Sequence, residues 1–307
     1  MDKMAILFNP SSGRGLSLKK EDRIKALLKQ NSIPFQWFCS RSENHFRQLA
    51  QEKARSFQVI LVVGGDTSFQ IAASEIHKSP YQPTLYLMPT GSANDIAMSL
   101  GIHSVDSTIQ SLLESKTRQM DLGLLEIKGR SEKIYFVGSL SLGLGATINQ
   151  FVAHYWKQHP LRAKYGKLIQ VWAGFLGARH SFQHQNIPMK IQLSSDDSTH
   201  NIESSIVVFS NVPCYAGGLR VCPWASPFDG KLDCSIIHTT SFMHTARFAY
   251  SVWRQKHKHK KEIRYLQNKS FSVSSQEPIN IQYDGQIIPG IRDFQASILP
   301  SALNILE

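Results

Sequence analysis

The stretch that decides the fold is Val59-Ile60-Leu61-Val62-Val63-Gly64-Gly65-Asp66-Thr67-Ser68-Phe69. Five apolar residues, mostly β-branched, end in two glycines and a carboxylate. An apolar run of this length predicts a strand that is buried on both faces. The glycines allow a tight turn whose N–H groups can approach a ligand, and Asp66 follows at the carboxyl edge of the sheet, where open α/β folds bind ligands. The stretch indicates a phosphate-binding turn with an acid for a metal beside it.

The segments around this stretch alternate between strand and helix patterns. Apolar runs predict strands at residues 4–8, 35–38, 59–63 and 84–88, and helical spacing predicts helices at 16–31, 44–55, 69–77 and 107–115. Strands that alternate with helices indicate a parallel sheet with helices packed on it. The sequence therefore predicts an α/β domain over residues 1–125.

After about residue 121 the pattern changes to short β-rich segments between turn residues, which is typical of an antiparallel sandwich. These segments are 134–137, 189–193, 205–210, 232–237, 270–273, 279–283 and 294–299. Helical patterns interrupt them at 146–179 and 241–267. We predict a second domain, a β-sandwich with helical insertions, over residues 126–299, and expect residues 300–307 to pack back on the first domain.

A second turn of small residues follows the strand predicted at 84–88. It reads Pro89-Thr90-Gly91-Ser92-Ala93-Asn94-Asp95. Asn94 and Asp95 each suit a helix N-cap, which is the alternative interpretation of either residue alone. Two Gly/Asp turns at one sheet edge supply the oxygen ligands, N–H donors and open space that a nucleotide phosphate and Mg²⁺ require.

The loop after the first strand, from Asn9 to Gly15, carries two glycines around Arg14. N–H groups and a guanidinium at the start of a helix can bind phosphate. An ordinary Gly-rich turn explains the same residues, and the sequence leaves both interpretations open.

The net charge of +11 is concentrated in two stretches of the second half. Residues 133–195 hold seven Lys or Arg and no acid, and residues 234–261 hold six and no acid. Both stretches also contain aromatic residues, as membrane-interface helices do, so we expect contact with an anionic membrane surface. The alternative is that the aromatic residues are core and the charges a solvated face. No nucleic-acid-binding motif accompanies the patch, so we expect no nucleic-acid partner.

Several other classes of protein receive no support from the sequence. The four cysteines show no C-x-x-C spacing, so neither a zinc site nor a disulfide framework is indicated. The apolar stretch at the N-terminus is too short for a signal peptide, and no run approaches the roughly 20 residues of a membrane-spanning helix. We expect a cytoplasmic protein, associated peripherally with the inner membrane face.

Six motifs in order resemble the diacylglycerol kinase catalytic family, particularly the bacterial lipid kinases that share its fold with sphingosine kinases. They are Asn9–Gly13, Gly64-Gly65-Asp66, Pro89–Ala97, Ser141–Gly145, Asn211–Asp233 and Asp284-Gly285-Gln286. The resemblance covers essentially the whole chain. It implies an N-terminal Rossmann-like nucleotide domain, akin to those of NAD kinase and phosphofructokinase, and a C-terminal β-sandwich, with the active site in the cleft between them.

The resemblance also implies roles for individual residues in an ATP- and Mg²⁺-dependent lipid kinase. Asp284 would be the general base that takes a proton from the lipid hydroxyl. Nucleotide-binding residues would be Asn9, Arg14, Gly64, Gly65, Asp66, Thr67, Gly91, Ser92 and Asn94. Metal-binding residues would be Asp66, Asp95 and Asp121, with Asp229 holding a structural cation. A hairpin turn, for which Asp-Gly is favoured, is the simpler interpretation of Asp284-Gly285.

The chain departs from the family pattern at two positions. Thr67-Ser68 replaces Gly-Thr after the Gly-Gly-Asp triplet, and Gln286 replaces a glutamate after Asp284-Gly285. A β-branched threonine adopts positive φ only at a cost, and its side chain could crowd a phosphate. Gln286 removes a charge that could assist the metal or the base.

Two alternative functions follow from these observations. The departures at Thr67 and Gln286 suggest a weakly active or non-catalytic, lipid-binding or regulatory member of the family. Gly64-Gly65-Asp66 alone would also suit a soluble NAD kinase-like enzyme, although the motif at Asn211–Asp233 argues against it. The sequence does not identify the acceptor lipid or the oligomeric state, for which a homodimer is one option.

Overall fold

The N-terminal half forms the parallel sheet that the sequence predicts. In a computed structural model, the structure describes residues 4–158, 176–180, 182, 188–195 and 198–306. The first four strands are β1 (Met4–Phe8), β2 (Phe35–Cys39), β3 (Val59–Gly64) and β4 (Thr84–Pro89). They pair in parallel in the order β2-β1-β3-β4. Helices α1 (Glu21–Gln30), α2 (Glu43–Ala54), α3 (Asp66–Lys78), α4 (Asp95–Ser99) and α5 (Val105–Glu114) lie between or after these strands.

Both faces of this sheet are buried, as the apolar run in β3 predicts. Ile60 and Val62 belong to a core that includes residues of α2 and α3. Leu61 and Val63 belong to a second core that includes residues of α1 and α5. Alternate residues of a strand point to opposite faces, so a strand between two helical layers must be apolar throughout. The burial of β3 on both faces holds the strand in place and thereby sets the position of Gly64 at its end.

The C-terminal half is mainly antiparallel, with a β-sandwich core. Its strands are β5 (Thr117–Ile127), β6 (Lys133–Phe136), β7 (Ser139–Gly143), β8 (Met189–Ser194), β9 (Thr199–Ser204), β10 (Ile206–Ser210), β11 (Leu232–Ile237), β12 (Ile263–Asn268), β13 (Ser270–Tyr283) and β14 (Gln286–Leu306). The main path runs β12-β11-β10-β7-β13-β14, while β5 pairs with β14 and β8 pairs with β13. Helices α6 (Leu144–Gln158) and α7 (Phe242–Trp253) lie between strands. The predicted fold class is confirmed.

Several predicted boundaries are wrong. The helical insertion predicted at 241–267 ends at Trp253, and residues 263–268 form β12, which pairs with β11. The strands predicted at 270–273 and 279–283 form one strand, β13, whose pairing with β14 is interrupted by irregularities. Strands β5, β7 and β9 were not predicted as separate elements. In the first insertion, α6 covers residues 144–158, and most of the remainder lies outside the described residues.

Strand β14 connects the two halves. After an irregularity between Leu299 and Leu303, it continues to pair with β5, and Ile305 is also the parallel partner of Leu85 in β4. Leu303 and Ile305 are buried in the same core as α2 and α3. The hydrogen-bonded sheet is therefore continuous from one half to the other, and the division of the chain near residue 125 stays a prediction. Within the described ranges, no helix is both long enough and apolar enough to span a bilayer.

We expect Leu303→Ala to lower the free energy of unfolding by about 2–5 kcal/mol, the usual cost of emptying a buried leucine site. Leu303 is 1 % exposed, whereas Leu113 is 51 % exposed and provides a matched control. Leu113→Ala should change stability by no more than about 0.5 kcal/mol. Urea unfolding followed by tryptophan fluorescence measures both. Equal losses would show that β14 does not contribute to the N-terminal core.

Candidate active site

Three loops meet at the carboxyl edge of the parallel sheet. They follow β1, β3 and β4 and contain Asn9–Gly15, Gly64–Ser68 and Thr90–Asn94. The Asn9 side-chain amide donates to Ser68 Oγ at 2.9 Å, and the backbone N–H of Thr90 donates to the Gly64 carbonyl at 2.8 Å. The structure thus brings together the three loops that the sequence assigns to the nucleotide.

The glycines of these loops permit a direct contact between backbones. A Cβ atom on Gly91 would lie 2.6 Å from Gly65 Cα, and one on Gly13 would lie 2.4 Å from the Thr90 carbonyl oxygen. Real Cβ atoms do not make contacts this short. Any side chain at these positions would therefore force the loops apart. The glycines are thus needed for the packing of the loops as well as for the ligand access that the sequence predicts.

Asp66 links the second loop to α4. Its carboxylate accepts the backbone N–H groups of Asp95 at 3.1 Å and Ile96 at 2.9 Å, the first two residues of that helix. Asn94 occupies the N-cap position of α4, but its side chain makes no capping hydrogen bond. Asp66 therefore accepts free N–H groups of the first helical turn, a role that the N-cap side chain usually has. Burial, with the Asp95 carboxylate adding to it, raises the pKa of Asp66 to about 6.

Asp95 in turn binds a segment of the C-terminal half. Its carboxylate accepts the N–H groups of Gly217 at 3.0 Å and Gly218 at 2.6 Å. Both glycines have positive φ, 90° and 99°, a conformation that directs successive N–H groups at one acceptor. The two glycines lie within the Asn211–Asp233 motif of the sequence analysis, but no contact between them and Asp95 was predicted.

Asp284 occupies a hairpin turn and also faces the loops. Residues 284 and 285 both have positive φ, 41° and 89°, and connect β13 to β14, so the simpler hairpin interpretation also holds. The buried carboxylate accepts three consecutive N–H groups, from Val137 at 2.6 Å, Gly138 at 3.0 Å and Ser139 at 2.9 Å. Burial nevertheless raises the pKa of Asp284 to about 7. The side chain is held in one orientation and keeps a proton at higher pH than an ordinary aspartate.

Thr67 and Gln286, the two departures from the family pattern, each contact a residue of the other half of the chain. Thr67 Oγ1 donates to the Asp284 carbonyl oxygen at 3.3 Å. Gln286 Nε2 donates to Glu43 Oε1, at the start of α2, also at 3.3 Å. The prediction that Thr67 would strain a positive-φ turn is wrong, because α3 begins at Asp66 and residue 67 is helical.

Asp121 and Asp229 lie apart from the Asp66–Asp95 pair. Asp121 is 2 % exposed, and its two oxygens accept the N–H groups of Ser301 at 2.8 Å and Gly230 at 2.7 Å. Asp229 is exposed and accepts the N–H of Lys231 at 3.0 Å within its own turn. Across the described ranges, no three His, Cys, Asp or Glu side chains gather in a metal-binding group. Asp66, Asp95 and Asp121, which were predicted to organise Mg²⁺, therefore do not form one group of three, and a separate cation at Asp229 stays a prediction.

The Asp66–Asp95 pair nevertheless fits Mg²⁺. Protein sites bind this ion through one or two carboxylates, with substrate phosphates and water completing its shell. Asn94 adds a buried Oδ1 atom that has no hydrogen-bond partner. Together these residues provide an oxygen-rich position beside the bare backbone of Gly65 and Gly91.

A cavity of about 200 Å³ extends the site between β1, β2, α2 and α3. Its walls are Asn9, Ser11, Ser40, Arg41, Ser42, Glu43, Phe46, Thr67, Ser68 and Ile71. The sequence predictions contained only Asn9 and Thr67 of these residues. The end of β2 gave no glycine or acid motif that would have indicated the others. Arg14 and Ser92 are exposed at the outer parts of their loops.

Comparisons with known proteins identify the family and the fold of the chain. The sequence model of the diacylglycerol kinase catalytic domain matches residues 3–125, and that of the YegS C-terminal NAD kinase beta sandwich-like domain matches residues 138–307. The candidate lipid kinase YtlR of Bacillus subtilis is 22 % identical, over 99 % of both chains. A diacylglycerol kinase of Mycobacterium tuberculosis is 23 % identical, over 99 % of this chain and 95 % of its own. The crystal structure of a candidate diacylglycerol kinase from Bacillus anthracis, 18 % identical, has the same fold, with a TM-score of 0.78 over 99 % of this chain and 95 % of that one.

We expect Gln286→Glu to destabilise the protein by roughly 0.5–1 kcal/mol at low ionic strength, because it replaces a hydrogen bond to Glu43 with two facing carboxylates. Adding Glu43→Gln should recover most of that loss, because the glutamine at position 43 can then donate a hydrogen bond to the glutamate at position 286. Urea unfolding of the four proteins of this double-mutant cycle at neutral pH measures the coupling. Strictly additive effects would contradict a direct contact between the two side chains.

Proposed function

The chain belongs to the family of bacterial diacylglycerol kinase-like lipid kinases, and on that premise we propose that it transfers the γ-phosphate of ATP to the hydroxyl of a diacylglycerol-like membrane lipid. The observation that carries the proposal is the contact between Thr67 and Asp284. It joins the Gly-Gly-Asp turn to a turn with a buried carboxylate from the other half. A phosphate donor and a proton acceptor would then share one cleft.

Asp284 would act as the general base. Its carboxylate accepts the proton of the lipid hydroxyl as the hydroxyl oxygen bonds to the γ-phosphorus. The bond from that phosphorus to the bridging oxygen breaks, and ADP leaves with the electron pair. An ordinary aspartate is a weak base for this step, with a pKa near 3.9. Burial raises the pKa of Asp284 to about 7, which improves its match to a proton transfer near neutral pH.

The three loops would hold the nucleotide. Gly65 and Gly91 are partly exposed and would present backbone to phosphate oxygens, Gly64 is buried at the end of β3, and Arg14 lies on the first of the loops. The cavity beside Thr67 has room and hydrogen-bonding groups for another part of the nucleotide. Mg²⁺, held by Asp66 and Asp95 together with phosphate oxygens, would neutralise charge on the transferred group.

The family supports the acceptor class that we propose. Diacylglycerol, phosphatidylglycerol and ceramide all present a hydroxyl beside long acyl chains, and the relatives whose names specify an acceptor are diacylglycerol kinases. We therefore propose a lipid of this class, with diacylglycerol as the first to test.

The test is to incubate the protein with γ-³²P-labelled ATP, Mg²⁺ and a total lipid extract dispersed in detergent, and to identify any labelled lipid. Asp284→Asn should lower the rate about 10²–10⁴-fold, the usual contribution of a general base. Asp293→Asn, which changes a half-buried acid of β14 that pairs with Lys128, should retain the wild-type rate. Circular dichroism would check that both variants are folded. No labelled lipid from the wild type would refute the kinase proposal, and equal labelling by Asp284→Asn would refute the role of that residue.

The rate should also depend on pH through Asp284. The ionised carboxylate is the form that accepts a proton, so activity should rise with pH and reach half its maximum near pH 7. Below that value the rate should fall by about tenfold for each pH unit, because the ionised fraction falls in that proportion. Initial rates between pH 5.5 and 8.5, at constant ionic strength and saturating ATP, measure the profile. A rate that is constant down to pH 5.5 would contradict this assignment.

A further inference from the structure

Four large apolar side chains are exposed on one part of the C-terminal half. They are Trp224, Met243, Tyr250 and Trp253, with exposures of 51, 58, 61 and 65 %. Three belong to α7, and the rings of Tyr250 and Trp253 are 5.9 Å apart. Trp224 lies in a neighbouring loop and connects to the segment after α7, because Lys258 Nζ lies 5.5 Å from the centre of its ring. Exposed apolar groups that cluster in this way mark a site of interaction.

The same surface is strongly basic. Arg247, Arg254, Lys256, Lys258, Lys260 and Lys261 lie on α7 or in the segment that follows it, and residues 235–261 contain no acid. None of the six forms a salt bridge with an acid in the part of the chain that the structure describes. The nearest acid in sequence, Glu262, pairs with His244 at 3.4 Å. We call the four apolar residues and these six basic residues the aromatic–basic surface.

The interior of the protein holds this surface in place. Phe248 and Val252, on the inner side of α7, pack with Val208, Val221 and Ile237. His257 is fully buried, and its ring packs edge-on against Phe248 at 6.3 Å. That contact fixes the basic segment to the helix. The surface is therefore attached to the protein core through the buried side of α7 and through His257.

A single segment connects the aromatic–basic surface to the candidate active site. At one end, Gly217 and Gly218 bind the Asp95 carboxylate. In the middle, Leu219 and Val221 pack in the core beneath α7. At the other end, Trp224 is part of the surface. Residues 217–224 would therefore connect a lipid bound at this surface to the Asp66–Asp95 pair.

We propose that the aromatic–basic surface docks the protein on an anionic lipid bilayer. Exposed Trp, Tyr and Met side chains suit the boundary between headgroups and acyl chains, and cations that form no salt bridge with a described acid suit anionic headgroups. A helix face is the usual shape for such binding, whereas single-stranded nucleic acid is usually bound in a groove. The proposal deepens the proposed function, on which it rests for the supply of substrate, but the docking itself requires neither ATP nor catalysis.

Vesicle flotation without ATP or Mg²⁺ tests the docking. Wild-type protein should bind phosphatidylcholine vesicles containing one quarter phosphatidylglycerol at least tenfold more tightly than pure phosphatidylcholine vesicles, and 0.5 M salt should weaken the binding. Tyr250→Ser/Trp253→Ser and Lys256→Glu/Lys260→Glu/Lys261→Glu should each lower the affinity at least tenfold. These side chains are exposed, so both variants should fold. Leu113→Ser/Lys116→Glu provides a matched control on another exposed surface and should bind as the wild type does.

Several results would overturn the proposal. They are no preference of the wild type for anionic vesicles, affinities of the surface variants equal to that of the control, or binding to a single-stranded RNA but not to vesicles. The last result would assign the surface to nucleic acid. Docking and catalysis can fail separately, because label transfer is measured on detergent-dispersed lipid and docking is measured without a nucleotide.

Discussion

The backbones of Gly65 and Gly91 touch at the carboxyl edge of the parallel sheet, and the candidate site depends on that contact. Gly65 and Gly91 approach so closely that a methyl group on either would meet the other, with 2.6–3.0 Å between a Cβ and the opposing Cα. The contact sets the spacing of the loops after β3 and β4. It thereby determines where Asp66 lies relative to the first turn of α4, and hence the direction in which Asp95 points.

The aspartates of the site also have a structural role. Asp66 binds backbone N–H groups of α4, Asp95 binds those of Gly217 and Gly218, and Asp284 binds those of residues 137–139. Asp121 does the same for Gly230 and Ser301. Asp66, Asp95 and Asp284 are therefore both candidate reactive groups and partners of N–H groups from other segments, whereas Asp121 has only the second role. Substitution of any one of the first three therefore changes the chemistry and the position of a loop together.

The sequence predicts the elements that local pattern determines. The apolar run before Gly64 predicts the buried strand, and the Gly/Asp turns predict which loops meet, because carboxyl ends of parallel strands share one edge. The start of α3 at Asp66 was missed because its first turn is polar and carries no apolar spacing. Strand β12 was missed because its strand character depends on β11, from which a helix and a basic segment separate it.

The roles of Asp121, Thr67 and Gln286 could not be obtained from sequence for a related reason. The partners of Asp121 lie 109 and 180 residues away, and that of Thr67 lies 217 residues away. No local pattern encodes such contacts. The glycine expected at position 67 suggested a strained turn, but the structure gives that position a helical backbone and a partner in the other half of the chain.

The path of β14 affects how the chain folds. Its last residues complete a core that begins with β1, so contacts of very high sequence separation are needed before the N-terminal sheet is finished. Loop-closure entropy makes such contacts slow to form. During synthesis the edge of β4 stays uncovered while more than two hundred residues are added. An exposed strand edge is a template for aggregation, and a chaperone that binds extended segments would protect the nascent chain during that interval.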